Sequence, residues 1–344
     1  MDKLAPGGVR AGGEGGPARS AAMQPHGIMF HHFHGQQPPY GQGSITAAQF
    51  ADLLHHLGRE RILPAAEWLA RARADELQPD DLCLTFDDNL RCQFEVALPV
   101  LRDLGLTAFW FVPTAVLTGR LERLEIYRAF RVRNFAGVDA YYDAFMKQVR
   151  RSPFAAEVQA ALQTFDPQNY LSEYPFYSDS DRQYRYVRDR VLGPQRYTDV
   201  LERFLAAQRV DVAELARDLW MDDACLCTLH AEGHVVGLHS HTHPTCLAAL
   251  TQAEQAREYQ DNQAYLTNLL GQPPLTMSHP CNSYTTVTLE ILRGLGVQMG
   301  FRANLAPGDY SLLEIPREDH ANIMREMHAC ASLSSPATSL AMPR

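Results

Sequence analysis

Two short segments carry the residue types of a hydrolytic metal centre. Thr85-Phe86-Asp87-Asp88-Asn89 sets two carboxylates side by side, and Gly237-Leu238-His239-Ser240-His241-Thr242-His243-Pro244 offers three imidazoles in close succession. His239 and His243 are four apart, so a helical or turn-like backbone brings both rings to one side and points His241 elsewhere. Two imidazoles and one carboxylate form a standard set for a catalytic divalent cation that keeps open positions. Such a cation acidifies a bound water and polarises a carbonyl. Neighbouring aspartates can point apart, so one can coordinate while the other accepts a proton. The competing reading of the first segment is a helix N-cap, with Asp88 or Asn89 capping the helix that follows. The competing reading of the second is a polar loop. The two segments together favour the cation.

Both segments follow strands. Leu82–Phe86 is a short apolar run bounded by charge, and the stretch from His234 to Leu238 precedes the histidines. Further strands are predicted at Gly27–Phe33, Thr107–Val112, near Leu275–Met277, at Val297–Phe301 and, last, at Ser311–Ile315, leading into Pro316. Helical spacing separates them: a capped amphipathic helix from Ser44, one opening at Pro64 and running to about Ala74, then residues 91–104, 251–270 and Val287–Leu295. Strand–helix alternation argues for parallel βα units. Parallel strands deliver their carboxyl ends to one crevice, which places both segments where such folds bind ligands.

Residues 118–228 differ. They are rich in Tyr, Arg, Asp, Gln and Phe and poor in strand signals, so they read as a helical insertion between two βα units. The domain plan is therefore a disordered tail over 1–23, a first barrel part over 24–117, the insertion over 118–228, a second part over 229–325 and a C-terminal tail over 326–344. Tyr141, Tyr142, Tyr170, Tyr174, Tyr177, Tyr184 and Tyr186 have two uses open to them: lining a sugar, or packing helix on helix, the latter favoured. The insertion is also a candidate lid, partner surface or dimer surface, and a homo-oligomer stays open.

The chain as a whole excludes several classes. With 46% hydrophobic and 21% charged residues over 344 positions it reads as an ordinary globular protein. Net charge is -9 with no basic stripe, which argues against nucleic acid. Seven cysteines, an odd number in a long chain, read as reduced thiols rather than a disulfide framework. Residues 1–23 lack the apolar stretch of a signal peptide, and no apolar run reaches about 18 residues, so no transmembrane segment and a cytoplasmic location are expected.

Thr-Phe-Asp-Asp after a strand, with His-Ser-His-Thr-His-Pro far downstream, resembles the polysaccharide deacetylase (NodB-homology) family. The resemblance covers roughly residues 26–120 and 229–322. It implies an α/β fold, a distorted (β/α) barrel, here with the large helical insertion. It implies that Asp87 is the general base, that Asp88, His239 and His243 hold the metal, and that the metal is Zn²⁺, with Co²⁺, Mn²⁺ or Ni²⁺ fitting the same ligands. The family's Arg-x-Pro-Tyr/Phe-Gly motif is altered: Ser278-His279-Pro280-Cys281-Asn282 stands there, with Ser278 in place of the arginine that orients the base and Cys281 in place of the aromatic. Glu314-Ile315-Pro316-Arg317-Glu318-Asp319-His320 offers a replacement: Arg317 pairing with Asp87 and His320 as general acid. The alternative is a surface pair of Arg317 with Asp319 and an incidental His320. His279 is a second acid candidate, and Cys281 contributes a backbone N–H to the oxyanion. In the family a first-strand histidine lies near the pocket floor, which makes His32 or His34 of His31-His32-Phe33-His34 a candidate pocket residue.

The implied activity is metal-assisted removal of an N-acetyl or N-formyl group from a sugar that is nucleotide-linked, lipid-linked or part of an oligosaccharide, in bacterial surface polysaccharide biosynthesis. Hydrolysis of another non-peptide C–N bond, or a non-catalytic metal-retaining sugar-binding protein, are the alternatives; loss of the motif arginine is what favours the last.

Overall fold

The computed structural model describes residues 24–35, 40–171, 177–308 and 310–334. The tail expected over 1–23 and Tyr174 lie outside them.

Seven strands run in sequence as β1 (His26–Phe30), β2 (Leu82–Phe86), β3 (Phe109–Val112), β4 (Val235–Leu238), β5 (Thr276–Ser278), β6 (Met299–Phe301) and β7 (Arg317–Asp319). Their order across the sheet is β6-β5-β4-β3-β2-β1-β7, and every pairing is parallel. The sheet curls into a nearly closed barrel. Residues 312–316 bridge the gap: Ile315 N–H donates to Gly300 O, Arg302 N–H to Ile315 O, and Gly27 N–H to Pro316 O. The segment Ser311–Ile315 is thus not the last strand. It makes one isolated bridge with Phe301, and the last strand begins after Pro316, whose missing N–H keeps it out of a ladder.

Alternation sorts the strand residues. Leu82, Leu84, Phe86, Trp110, Val236, Leu238 and Met277 face outward into the layer of helices, in one large buried cluster. Cys83, Phe109, Phe111, Met299 and Phe301 form a second cluster inside the barrel, plugged at one end by Ala65, Trp68 and Ala72 of the helix Ala65–Ala74. Gly237 is needed there: a Cβ would lie 2.6 Å from Thr276 Oγ1 and 2.7 Å from Phe111 Cε1. The helices that cover the barrel start where their sequences say. Thr46 and Gln49 close a capping box before Ala47–Leu57, and Thr251 and Glu254 do so before Gln252–Leu270.

The insertion has its own core. Ile126, Phe130, Tyr141, Phe145, Tyr184, Tyr197, Val200 and Phe204 are buried together, so Tyr141, Tyr142 and Tyr184 do pack helix on helix. Two expected boundaries shift. The helix Asp223–Ala231 buries Cys225, Leu226 and Leu229 in the barrel's outer cluster, so the chain returns to the barrel before residue 228. The helix His320–Ser334 runs through residue 326, where a tail was expected, and buries Ile323 and Met324 in the same cluster. Cys83, Cys92, Cys225, Cys227, Cys246 and Cys281 are all free thiols. Among the described residues no helix is long and apolar enough to cross a membrane.

Candidate active site

The inward row of β2 reads Cys83, Thr85, Asp87, so Asp87 continues the barrel interior past the strand end. It is 2% exposed, a burial that a carboxylate tolerates only with strong partners. Arg317, at the start of β7, supplies them. Nη1 and Nη2 each donate to one Asp87 oxygen at 2.8 Å, a bidentate pair. Nη1 also donates to Thr85 Oγ1 at 3.2 Å, Nη2 to Ser278 Oγ at 2.9 Å, and Nε to Arg302 O at 2.9 Å. All five guanidinium N–H donors are therefore used. Ser278 Oγ in turn donates to Asp87 Oδ2 at 3.1 Å. Burial alone would raise the Asp87 carboxyl, but Arg317 first and His239 second hold it below its ordinary value.

Asp88 turns the other way because its backbone leaves the strand at φ 76. Its Oδ1 lies 3.3 Å from Nε2 of both His239 and His243. Neither Asp88 nor Asn89 caps the following helix; Asn89, also at positive φ, donates from Nδ2 to Met221 O instead. His239 ends the inward row of β4. Its N–H is held by Asn262 Oδ1 at 2.9 Å, and its ring Nδ1 lies 2.9 Å from Ser278 O. A carbonyl partner requires Nδ1 to be the donor, which leaves the Nε2 lone pair directed at Asp88. His243 is brought round by a tight turn, with Ser240 and His243 at positive φ and Glu258 accepting from the N–H groups of His241 and Thr242. His241 itself points away, to Thr114 Oγ1 at 2.9 Å. Positive φ at non-glycine residues is a strain that folds keep chiefly where function needs it.

One ligand atom each from Asp88, His239 and His243 lie within 4.8 Å of one another. Two neutral imidazole nitrogens and a carboxylate oxygen at that separation fit a divalent cation. Burial raises and the two imidazoles lower the Asp88 carboxyl, which ends well below its ordinary value and so is ionised as a ligand must be.

Alternation also corrects several expectations. Arg317 faces inward on β7, so three residues on His320 faces outward: its ring stacks on Phe30 at 5.4 Å and Nδ1 meets Met29 O at 3.2 Å. Ser278 faces inward, so His279 does not. Its Nε2 lies 2.9 Å from Leu313 O, its ring stacks on Tyr284 at 3.9 Å, and burial pushes it down to about 4. On β1 the inward row is Gly27, Met29, His31. His32 therefore turns to the insertion, with Nε2 3.0 Å from both oxygens of Glu125, and His34 turns to Ser44 Oγ at 2.8 Å. His31 is the histidine that reaches the site, with Nε2 3.9 Å from Asp88 and 4.0 Å from Asp87. Counting by twos from Gly27 would have found it. Cys281 is at the rim, its thiol pushed up to about 12 by burial and then by Asp88 and Glu122. Glu122, from the start of the insertion, carries no motif that marks it in the sequence; burial raises it to about 7, and Glu125 and Asp88 add to the effect.

Residues 193–300 match a family model described as polysaccharide deacetylase. The matched stretch contains His239, His243 and Ser278; the Asp87–Asp88 pair and Arg317 lie outside it. Among solved structures the chain is similar to IcaB from Ammonifex degensii, with 15% identity, a TM-score of 0.53, and 89% of this chain and 96% of that one covered. It is also similar to the Streptococcus pyogenes deacetylase PplD in complex with acetate, with 16% identity, a TM-score of 0.50, and 87% and 93% covered. At such identity these likenesses bear on the fold, which they share. No curated protein matches the chain. The sequence match to a polysaccharide deacetylase model thus spans the histidine segment, and the barrel is the fold this chain shares with IcaB and PplD.

Proposed function

We propose that this chain is a metal-dependent N-deacetylase of an N-acylated amino sugar, working in bacterial surface polysaccharide biosynthesis, with acetyl or formyl as the group removed. The observation that carries the reading is the convergence of Asp88, His239 and His243 within 4.8 Å, with a separate, charged carboxylate beside them. These three residues would hold the cation, Zn²⁺ first and Co²⁺, Mn²⁺ or Ni²⁺ on the same donors. When bound, it acidifies a water toward a pKa of about 7 and polarises the acyl oxygen.

The chain's own groups do the rest. Asp87 is the base that takes the water's proton as the new C–O bond forms. A carboxylate has about four lone-pair sites. Arg317 and Ser278 occupy three, which leaves one for that proton. Arg317 is the positioning residue, replacing from β7 the arginine that Ser278 displaced. The leaving nitrogen needs a proton as the C–N bond breaks, and His31 is placed to donate it, since His279 and His320 face away. Products are a free amine on the sugar and acetate or formate.

The test is acyl release from N-acylated amino sugars, with metal content measured in parallel. Asp88→Ala or His239→Ala is expected to lose the metal. Asp87→Asn is expected to keep it and lose turnover by roughly 10²–10⁴-fold. Full activity in Asp87→Asn would sink the assignment of the base, and metal retention without release from any acylated sugar would point to a non-catalytic sugar-binding protein.

A further inference from the structure

The insertion holds a cavity of about 200 Å³ lined by Arg131, Arg188, Tyr141, Tyr184 and Tyr197, with His32, Glu125 and Arg128 along one wall. Its lining is rich in donors, with the Glu125 carboxylate, paired to His32, as the acidic exception. Tyr184 Oη lies 2.8 Å from Tyr197 Oη and 3.5 Å from Tyr141 Oη, a chain of three phenols. Burial, and then the neighbouring phenols, push Tyr141 and Tyr197 up well beyond the ordinary range, so they stay protonated and can donate. The guanidinium of Arg188 lies 5.7 Å from the Tyr184 ring centre and that of Arg131 6.0 Å from the Tyr141 ring centre. Arg188 is balanced by Asp189 and His32 by Glu125. Arg131 makes no ion pair among the described residues, which leaves an uncompensated cation over a wall of phenols. Planar guanidinium forks with hydroxyl donors around them are the chemistry that recognises phosphate oxygens. Glu125 links the cavity to the metal-ligand cluster: it lines the cavity and lies close enough to Asp88 and His243 for its charge to act on both. In a 2-acylamino sugar 1-phosphate the phosphate and the acylamino group sit on adjacent ring carbons, so a phosphate site must lie close to the reacting acyl group.

We propose that this cavity takes the phosphate of an amino sugar 1-phosphate unit, so the substrate is a phosphate-carrying acylated sugar rather than a neutral glycan. The proposal rests on the deacetylase reading for its chemistry but not for its binding step. The phosphate has two sources, a nucleotide diphosphate and a lipid diphosphate, which present the same group to the cavity.

Calorimetry on the metal-loaded protein with N-acetylglucosamine and with N-acetylglucosamine 1-phosphate tests it. The phosphorylated sugar is expected to bind about 10-fold tighter or more, with an affinity that falls as salt rises. Arg131→Ala should remove that advantage and leave the affinity for the neutral sugar unchanged. Arg131→Lys, which keeps the charge without the fork, should keep part of it and guards against a variant that misfolds. Equal affinity for the two sugars, or a full advantage in Arg131→Ala, overturns the proposal. Phosphate-dependent binding without acyl release from any sugar would leave the cavity assigned and overturn the deacetylase reading instead. Acyl release from neutral oligosaccharides with no gain from phosphate does the reverse. A UDP-linked sugar and a prenyl-diphosphate-linked sugar, compared as substrates, separate the two sources.

Discussion

The two ends of the barrel interior are built from the same strands and the same inward rows, yet they solve opposite problems. At the plugged end, Cys83, Phe109, Phe111 and Met299 meet Trp68 in an apolar cluster. Toward the carboxyl ends of the strands the inward rows instead hold Thr85 and then Asp87 on β2, His239 after β4, Ser278 on β5 and Arg317 on β7. The apolar end is stable by packing, which tolerates change of shape so long as volume is kept. The polar end is stable only because every donor of Arg317 is matched. Removing one partner there strands a buried charge, which is worse than never having buried the pair. Arg317 joins the two regimes: its guanidinium lies 6.0 Å from the Phe111 ring centre and 5.9 Å from that of Phe301, with the carboxylate beyond.

Substitution at the junction breaks the contrast most sharply. Arg317→Met is expected to destabilise the fold by about 3–5 kcal/mol in urea unfolding and to abolish turnover, because Asp87 loses its counter-charge. Arg317→Lys should not restore turnover, since an ammonium cannot reproduce five fixed donors. A variant within about 1 kcal/mol of wild type would mean the pair is not what holds that end together.

Acid should distinguish the ends next. His234, 4% exposed and just before β4, faces outward against Trp110, accepts from Ala108 N–H and is lowered by burial to about 4. Its folded pKa is below its unfolded value of about 6.5, so between those values the unfolded chain binds more protons. Its contribution is full above about 6.5 and is lost as pH falls toward 4, to a limit of about 3 kcal/mol. Asp87 and Asp88 are lowered, so their contributions persist above the ordinary carboxylate range and fail only as pH falls through their depressed values. Unfolding measured from pH 7 to 4 should therefore show a loss that His234→Gln reduces; an identical profile in that variant would remove His234 from the account. His279, lowered to about 4, adds its own share in the same window.

Chelation acts on the polar end alone. Removing the metal should lower stability by about 2.7 kcal/mol relative to protein held at a hundred times the dissociation constant, and Zn²⁺ should restore it. No shift in the melting temperature on chelation would count against a site on Asp88, His239 and His243. The smallest effect belongs to the apolar end. Met299→Leu conserves volume and should cost less than about 1.5 kcal/mol with unchanged turnover. A large loss of turnover there would show that the two ends are coupled more tightly than packing explains.

Much of the polar end could be read from local pattern. The strand before Asp87 and the strand before His239 announce themselves by composition, and their helices by spacing and caps. Local pattern without alternation misleads: it offers His320 to the crevice with Arg317, though an odd separation on a strand sends them to opposite faces, and it offers His32 or His34 where His31 reaches the site. Ser311–Ile315 looked like a strand by residue type, but its neighbours in space decide pairing, and Pro316 set the true start of β7.

By itself the sequence determined which side chains could do chemistry and that strands would present them, because alternation and helical spacing are properties of a few consecutive residues. Only the tertiary structure decided that Arg317, 230 positions beyond Asp87, closes onto it, that Ser278 shares the bond, and that the insertion brings Glu122 and Glu125 close enough to Asp88 for their charges to act on one another. Those meetings depend on how the sheet curls and where the chain returns, and no local run of residues encodes a closure across hundreds of positions.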